Sequence, residues 1–91
     1  MIYNLEYTNQ FKKGYKLALK RGSKESLIQS VIVSIAEGRP LALKYKAHKL
    51  SGNYKDCWEC HIQPDWLLIW QINEDTNTLT LVATGTHSDL F

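Results

Sequence analysis

The 91 residues, 44% hydrophobic and 11% aromatic, suit one folded domain with a core of its own and exclude a disordered chain. Eleven basic against nine acidic side chains leave a formal charge of +2, so total charge alone does not mark a nucleic-acid binder. No apolar run approaches the roughly 20 residues of a membrane span, and the opening MIYNLEYTNQ lacks the basic start and apolar stretch of an export signal. The expectation is a cytoplasmic chain with no membrane contact, whose Cys57 and Cys60 stay reduced.

In chain order, IYNLEYT alternates Tyr3, Leu5 and Tyr7 against polar neighbours, the pattern of a half-buried strand. Thr8 is placed to cap a helix running to about Arg21, with Phe11, Tyr15, Ala18 and Leu19 on its buried side. Lys12, Lys13, Lys16 and Lys20 fall on an adjacent arc of about 100°, and Gly22 marks the stop. Ser23 is the expected cap of a second helix, about Lys24 to Glu37, buried through Leu27, Ile28, Val31, Ile32 and Ile35. A linker this short predicts an antiparallel helical hairpin. From Arg39 to Asp56 no clean period holds. A loop this long in a compact domain is often functional, and five basic residues lie between Arg39 and Lys55 with no acidic one.

The remainder reads as strands. CWECHI sets Trp58, Cys60 and Ile62 on a core face and Cys57, Glu59 and His61 on a polar one that points away. Pro64 breaks the pairing, so Gln63–Asp65 is a connection. WLLIWQI is apolar on both faces, as a covered central strand would be. NEDTN is a turn, TLTLVAT the last strand, and GTHSDLF closes the chain. The predicted class is α+β: an N-terminal strand, a helical hairpin, then a curved, mainly antiparallel sheet with the helices on one face.

Three histidines come from three different segments: His48 in the basic loop, His61 on the polar strand face and His87 near the C-terminus. Histidine gives and takes protons near neutrality. Metal-independent RNA cleavage needs a base for the 2′-hydroxyl, an acid for the departing 5′-oxygen, and a positive charge for the phosphorane. The histidines and Asp65 supply the first two. Loop lysines, Lys46 and Lys49 among them, can position phosphates. Trp66 and Phe91 can stack a base, against core packing as the alternative for Trp66. A zinc or redox reading of CWEC fails on spacing, because residues three apart on a strand face opposite sides. Cys60 is then expected in the core and Cys57 as a surface thiol.

The combination H-x-L-x-G from His48, H-I-Q-P-D-W from His61 and T-G-T-H-S-D-L-F from Thr84 resembles the YafQ-type toxins of the RelE/ParE toxin–antitoxin superfamily. The resemblance spans nearly the whole chain. It implies a toxin that cleaves mRNA in the ribosomal A site without metal or other cofactor. It also implies a cognate antitoxin that silences the toxin, the complex of the two binding operator DNA. Carried over by position, His48, His61, Asp65 and His87 are the acid–base set, with Trp66 and Phe91 around the substrate. Lys12, Lys13, Lys16 and Lys20 are the expected ribosome-facing surface. One position departs: similar toxins carry arginine just before T-G-T-H, where this chain has Ala83. Either Ala83 silences the enzyme, or a loop lysine replaces the arginine. Two other functions compete, a ParE-like gyrase poison and an RNA- or antitoxin-binding module without turnover. A bell-shaped pH–rate profile is expected of the ribonuclease alone.

Overall fold

The computed structural model describes residues 2–91. Strand β1 (Asn4–Tyr7) leads into helix α1 (Asn9–Lys20) and helix α2 (Glu25–Ala36). A long segment with two 3-10 turns, Leu43–Tyr45 and Gly52–Tyr54, carries the two-residue strand β2 (His48–Lys49). Then come β3 (Trp58–Gln63), β4 (Trp66–Asn73), β5 (Thr78–Gly85) and a single helical turn, α3 (His87–Leu90). The five strands lie in the order β1-β5-β4-β3-β2. Only the β1–β5 pair is parallel. The expected α+β class holds, and the helical segment bracketed by Thr8 and Gly22 lies within a residue of its predicted ends.

Thr8 does more than cap α1. Its Oγ accepts from the Phe11 N–H at 2.9 Å and donates to the Val82 carbonyl at 2.6 Å, while its own N–H donates to the Leu81 carbonyl. The cap therefore ties the helix start to β5 at an irregular point of that strand. Thr8→Ala removes both side-chain bonds and is expected to cost about 1–2 kcal/mol, read as a lower urea midpoint with an unchanged slope. The second predicted cap is corrected. Lys24, not Ser23, precedes α2, and no side chain caps it. Glu25 still sits in the first turn, and its carboxylate accepts from the Tyr15 hydroxyl, which in turn accepts from Gln29; the two helices are laced there.

Both helices cover one face of the sheet. Phe11, Ala18, Ile28, Val31, Ile32 and Ile35 meet Cys60, Trp66, Leu68, Trp70, Leu79 and Leu81 in one core. Each such large side chain contributes about 1.5–3 kcal/mol by leaving water. α1 lies unusually close. A Cβ built on Gly14 would stand 2.1 Å from the Thr84 carbonyl oxygen, so only glycine permits this approach. β4 is the central strand foreseen, buried from Trp66 to Trp70.

Two bulges break the ladder. One lies at Ile62 on β3, between the pairs His61↔Leu67 and Gln63↔Trp66. The other leaves Val82 unpaired on β5, between Ile69↔Ala83 and Trp70↔Leu81. An extra residue on one strand inverts the faces beyond it. Leu79 and Leu81 accordingly point into the helix-side core, whereas Ala83 packs with Ile69 and Cys57 on the other face. That second face is not the open polar surface expected of CWECHI. Leu50, Tyr54 and Leu90 cover it, Cys57 is buried, and so is Glu59 at 5% exposure. The surface-thiol expectation for Cys57 is thereby corrected. Its thiol is raised by burial, and that of Cys60 is pushed up to about 12. The two sulfurs stand on opposite faces, in separate clusters, as the strand parity argued.

Candidate active site

β3 brings two groups onto the face opposite the helices, Glu59 and His61, two residues and so roughly 7 Å apart along the strand. His48 on β2 stands directly across from Glu59 in the register. Its Nε2 lies 3.5 Å from Glu59 Oε1, and its Nδ1 lies 2.8 Å from the Lys46 carbonyl. A carbonyl only accepts, so Nδ1 carries the hydrogen, and the ring is aimed with Nε2 toward the buried carboxylate. Glu59 was not singled out from the sequence. The available signal was its place between Cys57 and His61 on the same strand face.

His87 arrives from the other side, one residue past Thr86 at the end of β5. Asp65, in the tight turn before β4, receives it twice through one oxygen. The His87 backbone N–H and its Nδ1 lie 2.9 and 2.7 Å from Asp65 Oδ1. The His87 backbone N–H, and then the ring, hold the Asp65 carboxyl below the ordinary carboxylate range. Ionised, that carboxylate only accepts, so Nδ1 is the protonated nitrogen and Nε2 is left for chemistry. The His61 and His87 rings stand 5.5 Å apart between centroids. His61 Nδ1 is buried without a hydrogen-bond partner among the described residues. An orphaned buried nitrogen of this kind is uncommon in folded proteins.

Beside His61 opens a cleft of about 460 Å³ lined by Leu27, Lys44, Tyr45, Lys46, Gln63 and Pro64. Lys46, in the left-handed region at φ 51°, also lines this cleft. Lys49 does not. Alternation along β2 turns it away from the histidine side, and its ammonium rests 5.8 Å from the Trp58 ring. Lys12, Lys13 and Lys16 line a separate groove with Leu5, Tyr7 and Phe11; Lys20 lies in the last turn of α1.

Trp66 is corrected as a base-stacking platform. Its ring is 5% exposed within the helix-side core, and its Nε1 donates to Thr84 Oγ at 3.0 Å. That hydroxyl in turn donates to the Leu67 carbonyl. Trp66 thus braces the turn holding Asp65. Phe91 is 65% exposed and edge-on to Tyr54 at 5.6 Å. Ala83 is fully buried next to Cys57 and Ile69.

This arrangement has known counterparts. A family profile described as the bacterial toxin of a type II toxin–antitoxin system, YafQ, matches residues 3–91. The chain belongs to the YafQ toxin family. The mRNA interferase toxin YafQ of Escherichia coli K12 is 34% identical over 89 residues, 97% of this chain and 95% of the relative. A metal-bound toxin from Helicobacter pylori superposes with a TM-score of 0.92 at 44% identity, with both chains fully covered. YafQ from the E. coli DinJ–YafQ toxin–antitoxin complex superposes at 0.89, with 33% identity over 100% of this chain and 99% of that one. In this member of the YafQ family no three His, Cys, Asp or Glu side chains converge as a metal site among the described residues.

Proposed function

We propose that this toxin is an endoribonuclease that cuts mRNA by metal-independent transphosphorylation, in the ribosomal A site and in the cytoplasm. A base removes the 2′-hydroxyl proton, the 2′-oxygen attacks phosphorus, and the 5′-oxygen leaves as it takes a proton from an acid. The product strand ends in a 2′,3′-cyclic phosphate. The observation that carries this reading is the cluster Asp65–His87–His61. His87 is held by Nδ1 with Nε2 free, and a second histidine faces it at 5.5 Å. Such a pair can divide the roles of base and acid. His48, braced by Lys46 and Glu59, lies on the same face and joins the set. Lys46 positions the phosphates and Phe91 stacks a base. The toxin of the E. coli complex is bound by an antitoxin. By the same logic a cognate antitoxin silences this chain, and that complex contacts operator DNA. The lysines of α1 face the ribosome.

Position 83 supplies no charge to the phosphorane. Loss of one such group costs on the order of 10²–10³ in rate, so the enzyme is slow as it stands. The buried setting of Ala83 adds a condition: an arginine there must leave a cluster against which Leu50, Tyr54, Val82 and Leu90 pack. Primer extension on a translating ribosome tests both statements, comparing this chain with Ala83→Arg. The expected result is weak cleavage at discrete A-site positions, raised about 10²- to 10³-fold by the arginine. Cleavage by neither protein, with ribosome or antitoxin binding intact, would mean a binding module or a poison of another target.

A further inference from the structure

His87 sits on a helical turn of four residues, too short to hold itself in water. From outside the turn Asp65 holds the His87 N–H and ring Nδ1, and the turn that carries them must itself be held in place. Two contacts are local. Thr86 Oγ accepts from the Asp89 N–H at 3.1 Å, and Asp89 Oδ2 accepts from the Thr86 N–H at 2.9 Å, a reciprocal cap. The third comes from far along the chain. Arg21, on the residue that ends α1, donates from Nη1 to the same Asp89 Oδ2 at 2.7 Å and from Nη2 to Oδ1 at 3.4 Å. Gly85 makes room for the carboxylate, since a Cβ there would lie 2.9 Å from Asp89 Cβ. A small notch lined by Gly14, Ala18, Arg21, Asp65, Gly85 and Thr86 joins the end of α1 to the Asp65 turn.

We propose that Arg21 and Asp89 are positioning residues. Their ion pair latches the C-terminal turn to α1 and so fixes the direction in which His87 presents Nε2. The inference rests on the proton-transfer role proposed for His87. Stability is not the purpose of the pair, because its side chains are 47% and 28% exposed and surface pairs of this kind add little. Orientation is, because the α3 turn spends its own capping bonds on Asp89, and only Arg21 ties that carboxylate to the helical layer. The Arg21 guanidinium, with the Thr86 backbone, holds the Asp89 carboxyl down at about 2. A depressed carboxyl contributes above its ordinary value of 3.8 and loses its contribution as pH falls from there toward 2. The latch is therefore closed throughout the range in which histidines titrate.

The test uses the full chain and its Arg21→Ala, Arg21→Lys, Asp89→Asn and Arg21→Ala/Asp89→Asn variants. In the free protein, the ring ¹⁵N shifts of His87 and its proton contacts with His61 report the latch with no RNA present. Expected are averaged His87 signals and weakened His61 contacts in Arg21→Ala and Asp89→Asn, recovery in Arg21→Lys, and no further change in the double variant. Cleavage should fall about ten- to a hundredfold in kcat with KM steady. Unaltered His87 signals in both single variants overturn the latch, whatever cleavage does. A rise in KM at constant kcat also overturns it, and makes Arg21 a direct RNA contact of the basic stripe. Disordered His87 signals beside undiminished kcat would leave the latch standing and remove His87 from the chemistry.

Discussion

Replacing His87 by alanine should lower cleavage by about 10²–10⁴, the usual contribution of one proton-transfer group, while ribosome binding changes little. The separation follows from the way position 87 is held. The backbone N–H donates to Asp65 whatever the side chain is, and the Thr86–Asp89 cap does not involve the imidazole. The turn should therefore keep its place, with only the ring gone. Single-turnover cleavage beside an equilibrium ribosome-binding measurement reads the two quantities separately. An equal loss in both would make His87 a positioning contact for RNA and move the proton transfer to His61 and His48.

Gly14→Ala should be strongly destabilising although it adds a single methyl to the helical layer. In an exposed helix interior the same change stabilises by about 1 kcal/mol. Here the new methyl would meet the Thr84 carbonyl oxygen at 2.1 Å, and backbone cannot step aside as a flexible side chain can. α1 would have to lift, or β5 to shift, with the Thr84 hydroxyl bonds to Trp66 and Leu67 at stake. The net loss should be about 2–3 kcal/mol, or roughly 10–20 °C in Tm for a chain of this size. Lys13→Ala, one residue away on the exposed face, is the control and should stay within about 0.5 kcal/mol. A Gly14→Ala protein that melts with the parent would mean that the layers have slack to separate.

Much of this was legible in the sequence because the signals are local. Thr8 and Gly22 bracket α1, the WLLIWQI run announces a strand covered on both faces, and Pro64 with Asp65 marks a tight connection. The three histidines and Asp65 were legible by residue type and, through the quoted motifs, by resemblance. What escaped depends on registers that no local pattern carries. Leu79, Leu81, Ala83 and Gly85 alternate without a fault, so nothing in their spacing reveals that the first two and the last two face opposite ways. Glu59 read as a solvent-side residue because the covering Leu50, Tyr54 and Leu90 come from two other segments. Trp66 stayed open between core packing and base stacking, and the resemblance placed it at the substrate, because its indole partner, Thr84, lies 18 residues away. Lys49 was grouped with Lys46 by charge, and strand parity separates them.

The unpaired Val82 makes β5 a strand read in two phases. Before it, the odd positions face the helical layer; after it, they face the opposite side of the sheet. A protein lacking residue 82 would pair Leu81 and Ala83 with Trp70 and Ile69 in unbroken alternation and keep each on its present face, but it would lose the bulge and the Val82 carbonyl that receives the Thr8 hydroxyl.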